Sequence, residues 1–346
     1  MDSNLPPPLP RPPAGGPPRR ASGCAGKAAI LLGVLLFVSL AINVGSFAGR
    51  KSAGGCASGA RGEDEFPQFN EKWSSGKGDV KVARIALEGV ISRDPTGGFF
   101  SSMDTTESVL RQVRAATQDK KVRAILLEVD SPGGVVTPSD EIYAALKKFR
   151  ASRSDRRVVV FVRDLAASGA YYASMAADRI VAEPTAMIGS IGVIIQTINW
   201  SVLTEKLGIE DTTIKSGANK DLLNPFRKVD PEHVQILQAV VDAAFNRFKG
   251  IVREGRKLDA AKLDPIADGR IFPAERALEQ GLIDRIGYWD DAVAEVEKTL
   301  GVSAVKIVRY QKSGGLLQLL TDARAPAPLR TLLPERGPRM MYLWQP

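Results

Sequence analysis

Histidine is almost missing from this chain: His233 is the single one in 346 residues. Cysteine is nearly as scarce, with Cys24 and Cys56 alone. Two thiols exclude a disulfide scaffold and any thiolate-rich zinc or iron–sulfur site. One imidazole removes most histidine-based metal and triad chemistry. Aromatics make up only 6%, while the 44% apolar and 25% charged shares form an ordinary globular balance. That balance argues against wholesale disorder and against a multi-span membrane protein. The net charge of +8 is unevenly placed: residues 1–61 carry +6, residues 312–346 carry +3, and the stretch between sums to −1. A polyanion-binding domain would have the opposite distribution, so nucleic acid is not an expected partner.

The ends of the chain differ from its middle. Eight of the 22 prolines fall in residues 1–20, and residues 1–27 read as a solvated Pro-rich tail with nothing to bury. Residues 28–49, AAILLGVLLFVSLAINVGSFAG, contain no charge. At about 1.5 Å per residue they would span roughly 30 Å, the thickness of a bilayer's hydrocarbon core, and are expected to be a transmembrane anchor. A cleaved signal peptide is the competing reading, with Gly45-Ser46-Phe47-Ala48 as a passable cleavage site. The short basic tail ahead of the segment favours a cytoplasmic N-terminus, which places the rest outside the cytoplasm, at the inner (plasma) membrane. Residues 50–79 read as a flexible linker, with Cys56 incidental.

From Val80 the pattern alternates. VARIALEGVI (82–91), VRAILLEVD (122–130), RVVVFVRD (157–164), DRIVAE (178–183), Ile191–Ile195 and AVKIVRY (304–310) read as strands. ESVLRQVRAATQ (107–118), PSDEIYAALKKFR (138–150), the long run 231–256 and the segments near 274–280 and 289–299 read as helices. Strands and helices taking turns predict an α/β domain over 80–310 with mostly parallel sheet and crossover helices. Near-continuous apolar strands predict a sheet covered on both faces. Residues 311–346 return to Pro, Arg and Leu and read as a tail.

Two strand exits could carry chemistry. Asp130-Ser131-Pro132-Gly133-Gly134 turns sharply and frees backbone N–H groups, though most such sequences are merely turns. Ala166-Ala167-Ser168-Gly169-Ala170-Tyr171-Tyr172 places Ser168 where a strand meets a helix, as an accessible hydroxyl or simply an N-cap. A nucleophilic serine needs a base. His233 lies just after Pro231 in the first turn of the long helix and reads as a surface residue, which leaves lysine as the precedent. The segment Lys215-Ser216-Gly217-Ala218-Asn219-Lys220-Asp221 is rich in small residues that could let a lysine turn inward, against the ordinary reading of a solvated side chain. A lysine acts as a base only where burial keeps its amine neutral. The segment Met187-Ile188-Gly189-Ser190-Ile191-Gly192 offers the Ser190 hydroxyl as a partner in an apolar setting.

Together, DSPGG, AASGAYYAS, MIGSIGVI, KSGANKD and DGRIFPAERALEQGLIDRIG resemble, in order and spacing over residues 80–310, the signal peptide peptidase A family of serine proteases, within the wider Clp protease–crotonase fold. The resemblance implies a Ser–Lys dyad, with Ser168 as nucleophile, Lys220 as general base and Ser190 holding the amine. It implies oxyanion donors at the N–H groups of Gly134 and Gly169, and requires neither metal nor nucleotide cofactor. It also implies homo-oligomers and substrates drawn from remnant signal peptides and other hydrophobic peptides in the membrane. Ala170 stands where the family usually has a second glycine, and Asn219 where it often has an aromatic residue; neither change removes a reacting group. The alternatives are a membrane-anchored oligomeric scaffold that has lost turnover, and a crotonase-type acyl-CoA enzyme on the same fold, which would have no use for Ser168 with Lys220.

Overall fold

The computed structural model describes residues 67, 69–93, 104–312 and 340–343. The expected Pro-rich tail at 1–27 and membrane anchor at 28–49 lie outside them. Among the described residues, no helix is long and apolar enough to cross a membrane.

The strands are β1 (Phe69–Ser75), β2 (Val80–Glu88), β3 (Val122–Ser131), β4 (Gly133–Val135), β5 (Arg157–Ala167), β6 (Arg179–Ala182), β7 (Met187–Gly189), β8 (Ile194–Ile195), β9 (Ile271–Pro273), β10 (Arg285–Ile286), β11 (Val305–Lys312) and β12 (Met340–Leu343). The helices are α1 (Thr105–Gln118), α2 (Val136–Ala151), α3 (Gly169–Ser174), α4 (Ser201–Leu207), α5 (Pro231–Arg256), α6 (Ala260–Leu263), α7 (Ala274–Glu279) and α8 (Trp289–Leu300). The main sheet runs β1-β11-β2-β3-β5-β6-β10. Along this path it is parallel except for β1, which pairs antiparallel with β11 at the edge; off the path, β9 pairs antiparallel with β7. β5 is long enough to serve two neighbours: Val159–Val162 pair with β6, and Leu165–Ala167 pair with β7.

Successive residues of the central strands alternate between two cores. Ile125, Leu127, Val158 and Val160 join one apolar cluster with residues of α1, α2, α3 and α5. Ala124, Leu126, Val159 and Phe161 join the other, under α8. Both faces are therefore buried, which is why β3 and β5 read as nearly unbroken apolar runs. The exception is Glu128, buried in β3. Its carboxylate accepts two hydrogen bonds of 2.8 Å from Arg84, and Arg84 in turn stacks 4.2 Å from the Trp289 ring centroid. A buried charge persists only when paired in this way.

Three local differences from the sequence pattern matter. β1 falls within the stretch expected to be a linker: FNEKWSS carries mostly exposed and half-buried side chains, as an edge strand can. Ile191–Ile195 is not one strand, because Ser190 holds φ at 50° and ends β7, leaving only Ile194–Ile195 extended in β8. Within the residues expected to be a C-terminal tail, Met340–Leu343 pairs as a strand with β4 and β8.

Candidate active site

The carboxyl ends of β3, β5 and β7 meet at one corner of the sheet, where ligands bind in open α/β folds. Ser168 follows β5 directly and heads α3. It is 1% exposed, its φ is 52° and ψ −115°, and its hydroxyl makes no capping hydrogen bond. An N-cap serine sits in the extended region and bonds a free N–H of its helix; Ser168 does neither. A non-glycine residue in this part of backbone space carries strain of about 1–3 kcal/mol, of the kind concentrated at functional sites. Its own N–H donates to the Gly189 carbonyl at 2.7 Å, and its carbonyl accepts from Tyr172 N–H at 2.8 Å, so the backbone on both sides is fixed.

Ala167 pairs with Gly189 in parallel, so Ser168 and Ser190 leave adjacent strands side by side, about 5 Å apart at the backbone. Ser190 also has positive φ and is 6% exposed. Its N–H donates to the Arg270 carbonyl at 2.7 Å. Gly189 itself holds φ at +120°, and an added Cβ would lie 3.0 Å from the Arg270 carbonyl oxygen. The sequence reading did not single out Gly189, although its place between two chemistry-bearing segments was a signal.

On the other side of Ser168 lies the turn after β3. Ser131 Oγ donates to the Gly89 carbonyl at 2.6 Å and accepts from Gly133 N–H at 3.1 Å, holding the turn in place. Ile91 N–H donates to the Gly133 carbonyl and Val135 N–H donates to the Ile91 carbonyl, both at 2.8 Å. Since alternate peptide groups of a strand point opposite ways, the Gly134 N–H faces away from Ile91, toward the edge of β4 on which β12 pairs. A Cβ at Gly134 would lie 2.0 Å from the Ile91 carbonyl oxygen, so only glycine fits. The Gly169 N–H, first in α3, has no acceptor within its helix. α3 packs against β4, which brings the two glycines and Ser168 to one place. At the mouth, burial and then the charge of Asp164 push the Asp130 carboxyl above its usual range.

α3 is anchored from behind. The fully buried Tyr171 donates to the Leu282 carbonyl at 2.8 Å. Tyr172 donates to Asp140 of α2 at 2.5 Å and accepts from Arg247 of α5 at 3.0 Å.

Lys220 lies elsewhere. It sits exposed in the short 3₁₀ turn Ala218–Asp221, and among the described residues no hydrogen bond joins its amine to Ser168 or Ser190. The neighbouring lysine is the anchored one: Lys215 Nζ donates to the Ala218 carbonyl at 2.7 Å and to Asp221 at 2.6 Å. Arg227 pairs with Asp211 at 2.9 Å, closing a polar network that shapes the loop. His233 is half-buried at the start of α5, capped by Asp230. Among the described residues, no cluster of three or more His, Cys, Asp or Glu side chains is placed to hold a metal ion.

The sequence profile of peptidase family S49 matches residues 150–303, and that of Clp protease matches residues 100–196. A protein of Enterococcus faecium named "Putative signal peptide peptidase SppA" is 36% identical over 242 residues, 70% of this chain and 70% of that one. A protein of Methanocaldococcus jannaschii that carries a protease name is 39% identical over 247 residues, 70% of this chain and 78% of that one. "Protease 4" of Salmonella typhi is 34% identical over 234 residues, 67% of this chain and 36% of that one. The mixed, mostly parallel sheet fits the Clp protease-like fold.

Proposed function

The chain belongs to peptidase family S49 and is a serine peptidase, and from that premise we propose that it cuts hydrophobic peptides, remnant signal peptides among them, at Ser168 through an acyl-enzyme. The observation that carries this reading is the Ser168 backbone: a buried, non-glycine residue held at φ 52° where a strand exits, with no capping bond to account for it.

In the proposed reaction, the neutral amine of Lys220 takes the Ser168 proton as Oγ attacks the peptide carbonyl. The N–H groups of Gly134 and Gly169 receive the negative charge on the carbonyl oxygen; loss of one such donor costs ~3–4 kcal/mol in serine hydrolases. The protonated amine then passes its proton to the leaving amine. Water then attacks the ester, giving a proton to the same lysine, which passes it to Ser168 Oγ as the acyl group leaves. The Ser190 hydroxyl beside Ser168 positions the amine.

Lys220 is exposed, so we assign it to the Ser168 of a neighbouring copy in a homo-oligomer. An ammonium in water cannot serve as the base; it needs a surface that covers it. Eleven of the fifteen exposed large apolar side chains among the described residues fall between 198 and 240, Ile209, Ile214 and Phe226 included. This is the stretch that carries Lys220, and its apolar surface is of the kind that marks an interface. Residues 28–49 would anchor the assembly in the membrane, with the N-terminus cytoplasmic and the catalytic domain outside.

A fluorophosphonate probe tests the nucleophile. Wild type should label and should turn over a hydrophobic peptide, Ser168→Ala should do neither, and Lys220→Ala should lose at least about 100-fold in both at pH 7. Labelling that survives Ser168→Ala overturns the assignment.

A further inference from the structure

At the amino ends of β2, β3 and β11, opposite the strand exit that leads to Ser168, lies a cleft of about 910 Å³. Seven lysine and arginine side chains line it against two carboxylates, Glu71 and Asp79. Residues 62–311 together sum to −1, so this is a local gathering of charge and not a share of a general excess. β3 runs ten residues from this end of the sheet to the other, roughly 30 Å, which sets the cleft apart from the peptidase site.

Three of the cations are paired. Lys81 holds Glu71 and Asp119, both at 2.7 Å, and Asp155 holds Arg153 at 2.7 Å and Arg123 at 3.3 Å. Among the described residues no ion pair engages Lys77, Lys120, Lys121 or Lys306, and all four are exposed. They converge from three separate segments, each fixed in place. The turn carrying Lys77 lies tight against β11: Gly78 N–H donates to the Val305 carbonyl at 3.2 Å, and a Cβ at Gly78 would lie 2.1 Å from the Ala304 carbonyl oxygen. Lys306 lies opposite Lys81 where β11 pairs with β2. The turn carrying Lys120 and Lys121 is held by Arg153, which donates to the Lys120 carbonyl at 2.6 Å. Trp73 is 60% exposed, yet its indole N–H donates to the Gly76 carbonyl at 2.9 Å, so a flat apolar wall stands beside the lysines.

Like charges gathered without counter-charge repel one another, and a bound anion relieves that repulsion. Lysine suits phosphate, as a compact point charge with three donors. A cleft of this size takes a small molecule, not a long polyanion, and the Trp73 face would cover an apolar or ring portion of it. We propose that this cleft binds a small phosphate-bearing group, its oxygens accepting hydrogen bonds from Lys77, Lys120, Lys121 and Lys306. Such a group arrives either free in solution or as the headgroup of a lipid, in the bilayer where residues 28–49 are expected to anchor the chain. The recognising chemistry is the same for both.

The test uses the full-length protein reconstituted in phosphatidylcholine vesicles, and mass spectrometry reads how fast an acetylating reagent modifies each lysine. Either saturating glycerol 1-phosphate, or replacement of about a third of the lipid by phosphatidylglycerol, should slow Lys77, Lys120, Lys121 and Lys306 about fivefold. Lys262 on α6, exposed and outside the cleft, should keep its rate. Slowing by the free compound assigns the site to soluble phosphates; slowing by the anionic lipid alone assigns it to headgroups. Lys120→Glu with Lys121→Glu should return Lys77 and Lys306 to the unprotected rate. Lys77→Glu with Lys306→Glu should do the same for Lys120 and Lys121, so a loss of fold in one pair does not decide the outcome. Sodium chloride at matched ionic strength should protect none of them. Equal slowing by sodium chloride, protection that survives both double variants, or no protection from either phosphate source overturns the proposal. Turnover at Ser168 is read in none of these arms, so the peptidase reading stands or falls separately.

Discussion

Ser168 and Ser190 hold φ at 52° and 50°, where the Cβ of an L-residue crowds its own backbone. Each is fixed there by its neighbours: Ser168 N–H by the Gly189 carbonyl, Ser190 N–H by the Arg270 carbonyl. Strain of this kind should be visible as stability given up for the site. Ser168→Ala keeps the Cβ and the strain, while Ser168→Gly removes both, so the glycine variant should be more stable than the alanine variant by about 1 kcal/mol, or about 2–4 °C in Tm. Both lack the nucleophile, so the comparison isolates the backbone. Thermal unfolding of the pair measures it, and equal midpoints would mean that position 168 stores no strain. From sequence, Ser168 could be located but not told from an N-cap, because the distinction lies in φ and in a hydrogen bond that is absent.

At the scale of elements, what could be read in the sequence follows burial. β3 and β5 were legible because both faces pack, and α5 because Asp230 and Pro231 mark its start and its apolar stripe runs to Arg256. β1 and β12 were not, since each is made by pairing with distant residues rather than by a local pattern. The joint between α5, β6 and β10 was equally hidden, and it rests on one carboxylate. Asp284 accepts from the Ile180 N–H at 2.8 Å, Arg179 at 3.1 Å and Arg256 at 2.8 Å. Burial alone would push its pKa up, but the hydrogen bond and charge of Arg256, with the other donors, outweigh it and hold the group below its usual 3.8. A depressed carboxylate stabilises the fold above its unfolded pKa, and that contribution is lost as pH falls through the folded value. Asp284→Asn should therefore cost about 2 kcal/mol at pH 7. The Tm gap to wild type should stay constant down to about pH 5 and close progressively below pH 4, as measured by thermal melts across that range. A gap that does not change with pH would show that the amide replaces the carboxylate in geometry alone.

At the scale of the whole molecule, the proposed site divides between surfaces. Ser168, Ser190, Gly134 and Gly169 converge in one chain by strand pairing and helix packing, while the exposed Lys220 sits on a loop that its own polar network, through Lys215, Asp221 and Arg227, holds in shape. The motifs name Lys220 as the proposed base but carry no information about which copy would supply it, because spacing along a chain is silent on assembly. If the base comes from a neighbour, two dead variants should rescue each other. Ser168→Ala keeps the lysine and Lys220→Ala keeps the serine, so in a ring mixed at equal amounts about a quarter of the sites would pair an intact serine with an intact lysine. Co-assembled variants should recover about a quarter of wild-type turnover, and each alone should recover none. Adding Ile209→Glu and Ile214→Glu to both chains puts charge into the apolar stretch around Lys220 and should abolish the rescue together with the assembly, as read by sedimentation. A dyad formed within one chain predicts no recovery at any mixing ratio, since every copy would then lack one of its two groups.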